Sequence, residues 1–133
     1  MEQSIFTKII NGDVPCHKVY EDENFFGIMD IHPIHDGHVV LISKEQVETV
    51  WELSDDSLQK LILATKKIVD ALLKVFEPYR VVSRIEGFDV AHAHVNIFPV
   101  INAKDIHKKQ DTESEPNHKK LATLAEKIKG EIS

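Results

Sequence analysis

The sequence predicts an α+β fold: an antiparallel sheet of about five strands with one long helix and short helices at both ends. Residues 90–99 alternate polar and apolar side chains with the period of two that is typical of a strand. Residues 17–20 and 25–30 are predicted to be the two strands of a hairpin, with the polar run 21–24 as the turn between them. An amphipathic stripe that begins near Asp55 and stops before Pro78 predicts the long helix.

The composition limits the kind of protein. A chain of 133 residues, 42% hydrophobic and 29% charged, suits one domain with a hydrophobic core. The net charge of −6 argues against a general binder of nucleic acid. The single cysteine, Cys16, excludes an internal disulfide and a cysteine-based metal cage. Because no apolar run approaches the ~20 residues of a membrane span, and the N-terminus lacks a signal-peptide core, we expect a cytoplasmic protein without membrane partners.

Each helix has its own signals. Residues 3–11 predict a short helix that ends at Gly12. Ser54 suits the N-cap of the long helix, whose stripe comprises Leu58, Leu61, Ile62, Thr65, Ile68, Val69, Leu72, Leu73 and Phe76. The charged run 103–117 predicts a mobile surface segment. Asn117 then suits the start of a last helix and Gly130 its end.

Residues 90–99 are the strongest candidate for a functional site. As a strand, they put His92, His94 and Asn96 on one face. Same-face side chains lie roughly 6.5–7 Å apart, so two imidazoles and an amide form a polar row that suits a phosphate. The His-x-His spacing also suits a metal, provided that further ligands converge. Histidines at 32, 35 and 38 leave a weaker metal alternative, because Pro33 and Gly37 favour a loop over a helix there.

The run His-Ala-His-Val-Asn-Ile-Phe-Pro at 92–99 resembles the signature of the histidine-triad (HIT) family, His-x-His-x-His followed by apolar residues. The resemblance begins at 4–12, continues through Val-Tyr-Glu-Asp, Met-Asp-Ile and Pro33 to Gly-His at 37–38, and ends at 99. It implies a HIT-like fold in which residues 1–102 form a nucleotide-binding domain. Residues 103–133, the polar segment and C-terminal helix, belong to the same domain. It also implies a homodimer.

The resemblance implies a nucleotidyl hydrolase or transferase. Its substrates would be purine nucleoside phosphoramidates, dinucleoside polyphosphates or related nucleotide esters. His94 would attack phosphorus and form a covalent nucleotidyl-histidine, with its other ring N–H donated to the carbonyl of His92. His38 would orient the His94 ring. Asn96 replaces the third histidine and cannot act as a general acid near neutral pH, which leaves a nucleotide-binding protein with weak or no turnover as the alternative.

The resemblance also implies contacts to the nucleotide. Asp30 would accept hydrogen bonds from ribose hydroxyls. The other expected contacts, to base, sugar or phosphate, are Ile5, Phe6, Ile9, Ile28, Ile31, Ser83, Gly87 and Asp89. The Asp89 carboxylate would repel a phosphate unless it points away or is protonated.

Relatives with structural zinc carry ligands that this chain lacks. They have cysteines where it has Ser4 and Thr7, and a histidine where it has Gln46. Because zinc needs a nearly complete set of ligands, we expect neither a metal nor another cofactor.

Overall fold

The computed structural model describes residues 2–132. A single antiparallel sheet has the strand order β1-β2-β3-β5-β4. The strands are β1 (Lys18–Glu21), β2 (Phe25–Met29), β3 (Val39–Ser43), β4 (Arg80–Arg84) and β5 (His94–Val100). The helices are α1 (Ile5–Ile10), α2 (Asp55–Phe76) and α3 (His118–Glu131), with 3-10 turns at Val50–Glu52 and Ala103–His107. The predicted α+β class and five-stranded sheet are confirmed.

Helices α2 and α3 cover one face of the sheet. The Ser54 side chain caps α2 by accepting from the backbone N–H of Ser57, and Glu77 ends the helix in the left-handed conformation. The main core joins this helical layer to the inward face of the strands and includes Leu41, Leu61, Ile68, Leu72, Val95, Ile97 and Leu121. Ile62 and Leu73, which belong to the predicted stripe, are 54% and 43% exposed. The apolar stripe is therefore wider than the buried face.

The opposite face of the sheet holds the residues of the candidate site. The side chains of Phe26, Ile28, Val40 and Ile42 form a smaller buried cluster there, and α1 packs on it through Phe6, Ile9 and Ile10. In the register, His94 lies opposite Ile42, and Asn96 lies opposite Val40. Because cross-strand partners share a face, His94 and Asn96 lie beside this cluster.

Strand β5 begins at His94 rather than at residue 90. The preceding residues form a turn in which the His92 N–H donates to the Val90 carbonyl oxygen (2.9 Å) and the Ala93 N–H donates to that of Val47 (2.8 Å). His92 therefore precedes the strand, and its ring turns towards Ser4 and Ser43. The prediction of a strand over the whole run was wrong for its first four residues, because hydrogen bonds to the Val47 loop replace the ladder.

The C-terminal part is more regular than the sequence indicates. Asn102 and Asp105 form a capping box around the 3-10 turn at Ala103–His107. The Asn117 side chain accepts from the backbone N–H of Lys120 and starts α3 as predicted, whereas Gly130 lies inside that helix and does not end it. Within residues 2–132, no helix is both long and apolar enough to cross a membrane.

Candidate active site

His94 presents one free ring nitrogen. Its Nδ1 lies 2.6 Å from the carbonyl oxygen of His92. Because a carbonyl oxygen only accepts, Nδ1 carries the proton and Nε2 keeps its lone pair. The edge of Phe6 packs on the ring, with centroids 5.1 Å apart. His94 is 8% exposed, whereas His38 and His92 are 1% and 0% exposed, so His94 is the one of these three rings that a ligand reaches most easily.

His92 is a buried ring with both nitrogens engaged. Its Nε2 donates to the carbonyl oxygen of Ser43 at 2.6 Å, so Nδ1 must accept, and the Ser4 hydroxyl donates to it at 2.5 Å. Burial lowers the pKa of His92, and the hydrogen bond to the Ser43 carbonyl opposes that shift. A neutral His92 with a fixed tautomer therefore supports the backbone carbonyl that holds His94.

Three side chains, those of Ser4, Thr7 and Gln46, form one hydrogen-bonded cluster with His92. Ser4 caps α1 by accepting from the Thr7 N–H at 3.0 Å. The Thr7 hydroxyl donates to Gln46 Oε1 at 2.6 Å, and the Ser4 N–H donates to the same oxygen at 3.1 Å. Gln46 thus meets Thr7, 39 positions away in sequence, and Ser4, 42 positions away, beside the His92 ring. Ser4, Thr7 and Gln46 are the positions at which the family resemblance led us to look for zinc ligands.

This cluster does not fit zinc. Two hydroxyls and an amide are much weaker ligands for zinc than thiolates or imidazoles. Both nitrogens of His92 already have partners. Over the part of the chain that the structure describes, no group of three or more His, Cys, Asp or Glu side chains is arranged to hold a metal. Neither metal alternative from the sequence, the His-x-His pair or the three histidines around Pro33, is arranged as a metal site among the described residues.

His38 orients Asn96. Its Nδ1 accepts from the Ile34 N–H at 3.1 Å, so its Nε2 carries the proton and donates to Asn96 Oδ1 at 2.9 Å. The NH₂ group of Asn96 consequently points away from His38, where it can donate a hydrogen bond to another group. Burial lowers the pKa of His38, opposed by the Asp30 carboxylate and the hydrogen bond to Asn96.

The expectation that His38 orients the His94 ring was wrong. His94 pairs with Ile42, four residues beyond His38 along β3. Four residues of strand span about 13 Å, which puts the His94 ring out of hydrogen-bond range.

Asp30, predicted to be the last residue of the second strand, lies one position beyond the end of β2, and both its carboxylate oxygens accept hydrogen bonds. Oδ1 accepts from the His32 N–H at 2.8 Å, and Oδ2 accepts from Gln110 Nε2 at 3.0 Å. Oδ2 also lies 3.7 Å from His38 Nε2. Sequence reasoning missed Gln110, because nothing in the polar run 103–117 marks which residue folds back onto the sheet.

The side chain of Ser83 lies on the face of the sheet opposite to the candidate site. It pairs with Ile97, while Arg84 pairs with Asn96. Ile97 belongs to the core under α2, so Ser83 lies on the face opposite the polar row, and the expected phosphate contact was wrong.

Arg84 lies on the site face instead. Its guanidinium is 5.1 Å from the centroid of Phe98, donates to the Ile106 carbonyl oxygen at 3.1 Å, and lies 3.3 Å from Glu86. Sequence reasoning missed Arg84, because the register of β4 against β5 cannot be inferred from β4 alone.

The remaining expected contacts fall into two groups. Phe6, Ile9 and Ile28 belong to the apolar cluster beside His94. The other group consists of residues in more open positions, and Ile5 and Ile31 are 44% and 42% exposed. Asp89 is exposed, and Gly87 has a positive φ of 124°, in a loop that precedes the His92 turn.

Comparison with known proteins decides the family. The model of the HIT domain matches residues 11–103. The chain belongs to the HIT family. It is 40% identical over 99 residues to an uncharacterized HIT-like protein of Methanocaldococcus jannaschii, in a match that covers 71% of this chain and 77% of that one. It is 37% identical over 101 residues to the adenosine 5′-monophosphoramidase of Schizosaccharomyces pombe, covering 74% of each chain.

A solved structure extends the similarity over nearly the whole HIT-family chain. The hypothetical histidine triad nucleotide-binding protein of Sulfolobus tokodaii has a TM-score of 0.84 at 27% identity, covering 96% of this chain and 90% of that one. The fold therefore includes the C-terminal part, although the family model stops at residue 103. Gln110, which contacts Asp30, lies beyond the matched domain.

Proposed function

We propose that this HIT-family protein is a nucleotidyl hydrolase or transferase that forms a covalent nucleotidyl-His94 intermediate. Its substrates are purine nucleoside phosphoramidates, dinucleoside polyphosphates or related nucleotide esters. One observation carries the proposal: Nδ1 of His94 donates to the His92 carbonyl oxygen at 2.6 Å, which places the lone pair of the neutral ring on Nε2. An unprotonated imidazole nitrogen with a fixed orientation is a competent nucleophile.

The first step transfers the nucleotidyl group to the protein. His94 Nε2 attacks the phosphorus next to the nucleoside, a P–N bond forms, and the bond from phosphorus to the leaving group breaks. The leaving group departs with the bonding electron pair. Positive charge develops on the ring, and the His92 carbonyl oxygen stabilises it through the Nδ1–H hydrogen bond.

The second step releases the nucleotide. Water or another acceptor attacks the phosphorus, the P–N bond breaks, and its electron pair returns to Nε2. With water as acceptor, the product is a nucleoside monophosphate, and the net reaction is hydrolysis. With another nucleophile, the same intermediate gives transfer, so the acceptor alone separates the two activities.

Asn96 determines how much help the departing group receives during the first step. Because its Oδ1 accepts from His38, its NH₂ group is the part that can meet a leaving-group oxygen or nitrogen. An amide donates a hydrogen bond but not a proton, so the proton for the leaving group must come from water. General acid–base help typically contributes about 10²–10⁴-fold, and we therefore expect good leaving groups to react best.

Side chains near His94 suit the other parts of the nucleotide, its base and its sugar. The apolar surface of Phe6, Ile9 and Ile28 suits the purine base. The carboxylate of Asp30 suits the ribose hydroxyls, since it only accepts hydrogen bonds when ionised. The name of the Schizosaccharomyces pombe relative, an adenosine 5′-monophosphoramidase, supports an adenosine nucleotide with a P–N bond as the first substrate to test.

Asn96 also favours a second candidate function. Without a general acid, the site could hold a nucleotide and turn it over slowly or not at all. Incubation with an adenosine phosphoramidate, using wild type, His94→Ala and His107→Ala, separates the two functions. His107 is an exposed histidine on the 3-10 turn and gives a matched control.

We expect release of AMP by wild type and His107→Ala but not by His94→Ala. Acid-quenched wild type should carry an adenylyl group that mass spectrometry maps to His94. Equal release by all three proteins, together with tight binding of AMP, would favour the binding function. An adduct on another side chain would refute His94 as the nucleophile.

The homodimer also remains a proposal. It rests on the family resemblance, and light scattering of the purified protein at micromolar concentration tests it directly. A mass near twice the 15.2 kDa of the chain is the expected result, and a monomer would contradict it.

A further inference from the structure

A side chain from outside the matched HIT domain contacts Asp30. Gln110 Nε2 lies 3.0 Å from Asp30 Oδ2 and 2.8 Å from the carbonyl oxygen of His32. The contact spans 80 positions in sequence and is partly buried. Since both partners only accept, Gln110 must present its NH₂ group to them, which uses both amide hydrogens.

After these hydrogen bonds are counted, Asp30 and Gln110 can still accept hydrogen bonds but have no donor left to offer. An ionised carboxylate offers about four acceptor positions. At Asp30, the His32 N–H and the Gln110 amide occupy one on each oxygen, so about two remain. Gln110 Oε1 adds a further acceptor on the side away from Asp30. The complement of such a site is a pair of neighbouring hydroxyl donors, as in the cis-diol of ribose.

The Gln110–Asp30 contact is connected to Asn96, a member of the polar row, through His38. Asp30 Oδ2 is 3.7 Å from His38 Nε2, and that nitrogen donates to Asn96 Oδ1 at 2.9 Å. A chain of polar contacts therefore runs from Gln110 through Asp30 and His38 to Asn96. A sugar that binds Asp30 would therefore lie at one end of this chain, with Asn96 at the other end.

On the basis of the proposed function, we propose that Gln110 is a positioning residue that makes the site select ribonucleotides over 2′-deoxyribonucleotides. It holds the Asp30 carboxylate in place while leaving that carboxylate acceptor positions for both hydroxyls. A different role, in which Gln110 blocks the carboxylate until a nucleotide displaces it, is disfavoured because Asp30 keeps free acceptor capacity with Gln110 bound.

The experiment compares two substrates in four proteins. The substrates are the phosphoramidates of adenosine and 2′-deoxyadenosine. The proteins are wild type, Gln110→Ala, Gln110→Glu and, as the control, Gln59→Ala, which removes an exposed amide on α2. Gln110→Glu keeps the length of the side chain but replaces the NH₂ donor with a carboxylate beside Asp30. Thermal melting confirms that each variant is folded, and calorimetry measures the binding of AMP and 2′-deoxy-AMP.

We expect wild type and Gln59→Ala to prefer the ribonucleotide by about tenfold in kcat/KM, the size of one hydrogen bond to a charged group. Both Gln110 variants should reduce that ratio towards one, chiefly by raising KM for the ribonucleotide. A purely structural role would lower kcat/KM for both substrates equally and leave the ratio unchanged.

Three results would overturn the inference in a protein that binds or turns over a nucleotide. The first is a ratio in the Gln110 variants equal to that of wild type. The second is tighter AMP binding by Gln110→Ala, which would indicate a blocking role. The third is turnover by wild type without preference for ribose, in which case the proposed function stands and only the role of Gln110 fails. If wild type neither binds nor turns over either nucleotide, the proposed function fails and this inference fails with it.

Discussion

Ser4→Ala removes two interactions that meet at one oxygen atom. Ser4 Oγ caps α1 by accepting from the Thr7 N–H at 3.0 Å, and it donates to Nδ1 of the buried His92 at 2.5 Å. Loss of a serine N-cap costs about 1 kcal/mol. A buried acceptor left without a donor costs about 1–3 kcal/mol. We therefore expect the free energy of unfolding to fall by about 2–4 kcal/mol.

The structure narrows this range and supplies the control. The Thr7 hydroxyl lies 3.4 Å from His92 Nδ1 and can replace the lost donor if it gives up its hydrogen bond to Gln46 Oε1, so the loss should lie near about 2 kcal/mol. Ser54→Ala is the matched control: Ser54 also caps a helix, by accepting from the Ser57 N–H at 3.1 Å, but the described contacts of its hydroxyl do not include a histidine. It should cost about 1 kcal/mol.

Urea unfolding at pH 7.5 measures both variants, with the m-values compared to exclude a change in the unfolded state. The difference between Ser4→Ala and Ser54→Ala isolates the bond to His92 and should be about 1 kcal/mol or more. Equal losses in the two variants would refute the reasoning that the Ser4 hydroxyl donates a stabilising hydrogen bond to Nδ1 of the buried His92.

Three further predictions follow from the site and its surroundings. Because burial lowers the pKa values of His38 and His92 below the ordinary 6.5, the unfolded chain binds more protons than the folded one. Stability should therefore be full above pH 6.5 and fall below it, by up to about 2.7 kcal/mol per pH unit for the two rings; urea midpoints that do not change between pH 7.5 and 5.5 would contradict this. Asn96→His restores a general acid and should raise kcat/KM for an unactivated phosphoramidate by about 10² or more, while an unchanged rate would show that the leaving group needs no proton from this position. Gly37→Ala should destabilise by about 1–3 kcal/mol, because φ is +93° and an added Cβ would lie 2.6 Å from an aromatic carbon on α2. Gly130→Ala, in α3 with open space around it, should instead stabilise by about 0.5–1 kcal/mol, and equal effects in urea unfolding would contradict both assignments.

Local chemistry made the helices and the hairpin predictable. The start of α2 after Ser54 and its end before Pro78 depend on a cap and a proline that act within one turn. The Asn117 cap of α3 was predictable for the same reason. At 90–93 the strand prediction was wrong, because the backbone there bonds to the Val47 loop, which is distant in sequence, instead of to a neighbouring strand.

The candidate site was predictable in its centre and not at its edges. A period of two places His94 and Asn96 on one face, and the hydrogen bond from His94 Nδ1 to the His92 carbonyl oxygen spans two residues. The partner of His38 was not predictable, because it depends on how β3 is aligned with β5. A shift of one residue in such an alignment moves every side chain to the other face, and the observed register places Arg84, not the expected Ser83, on the face of the site.

The sequence by itself determined the fold class, the family, and the pair His94 and Asn96, because each follows from residue types and spacings within a few positions. Only the tertiary structure decided that Ser4 holds the His92 ring across 88 positions and that Gln110 reaches Asp30 across 80. Such contacts depend on loop closure and strand register, which are properties of the packed chain. A polar residue such as Ser4 or Gln110 acquires its role only from the acceptor or donor that packing brings beside it.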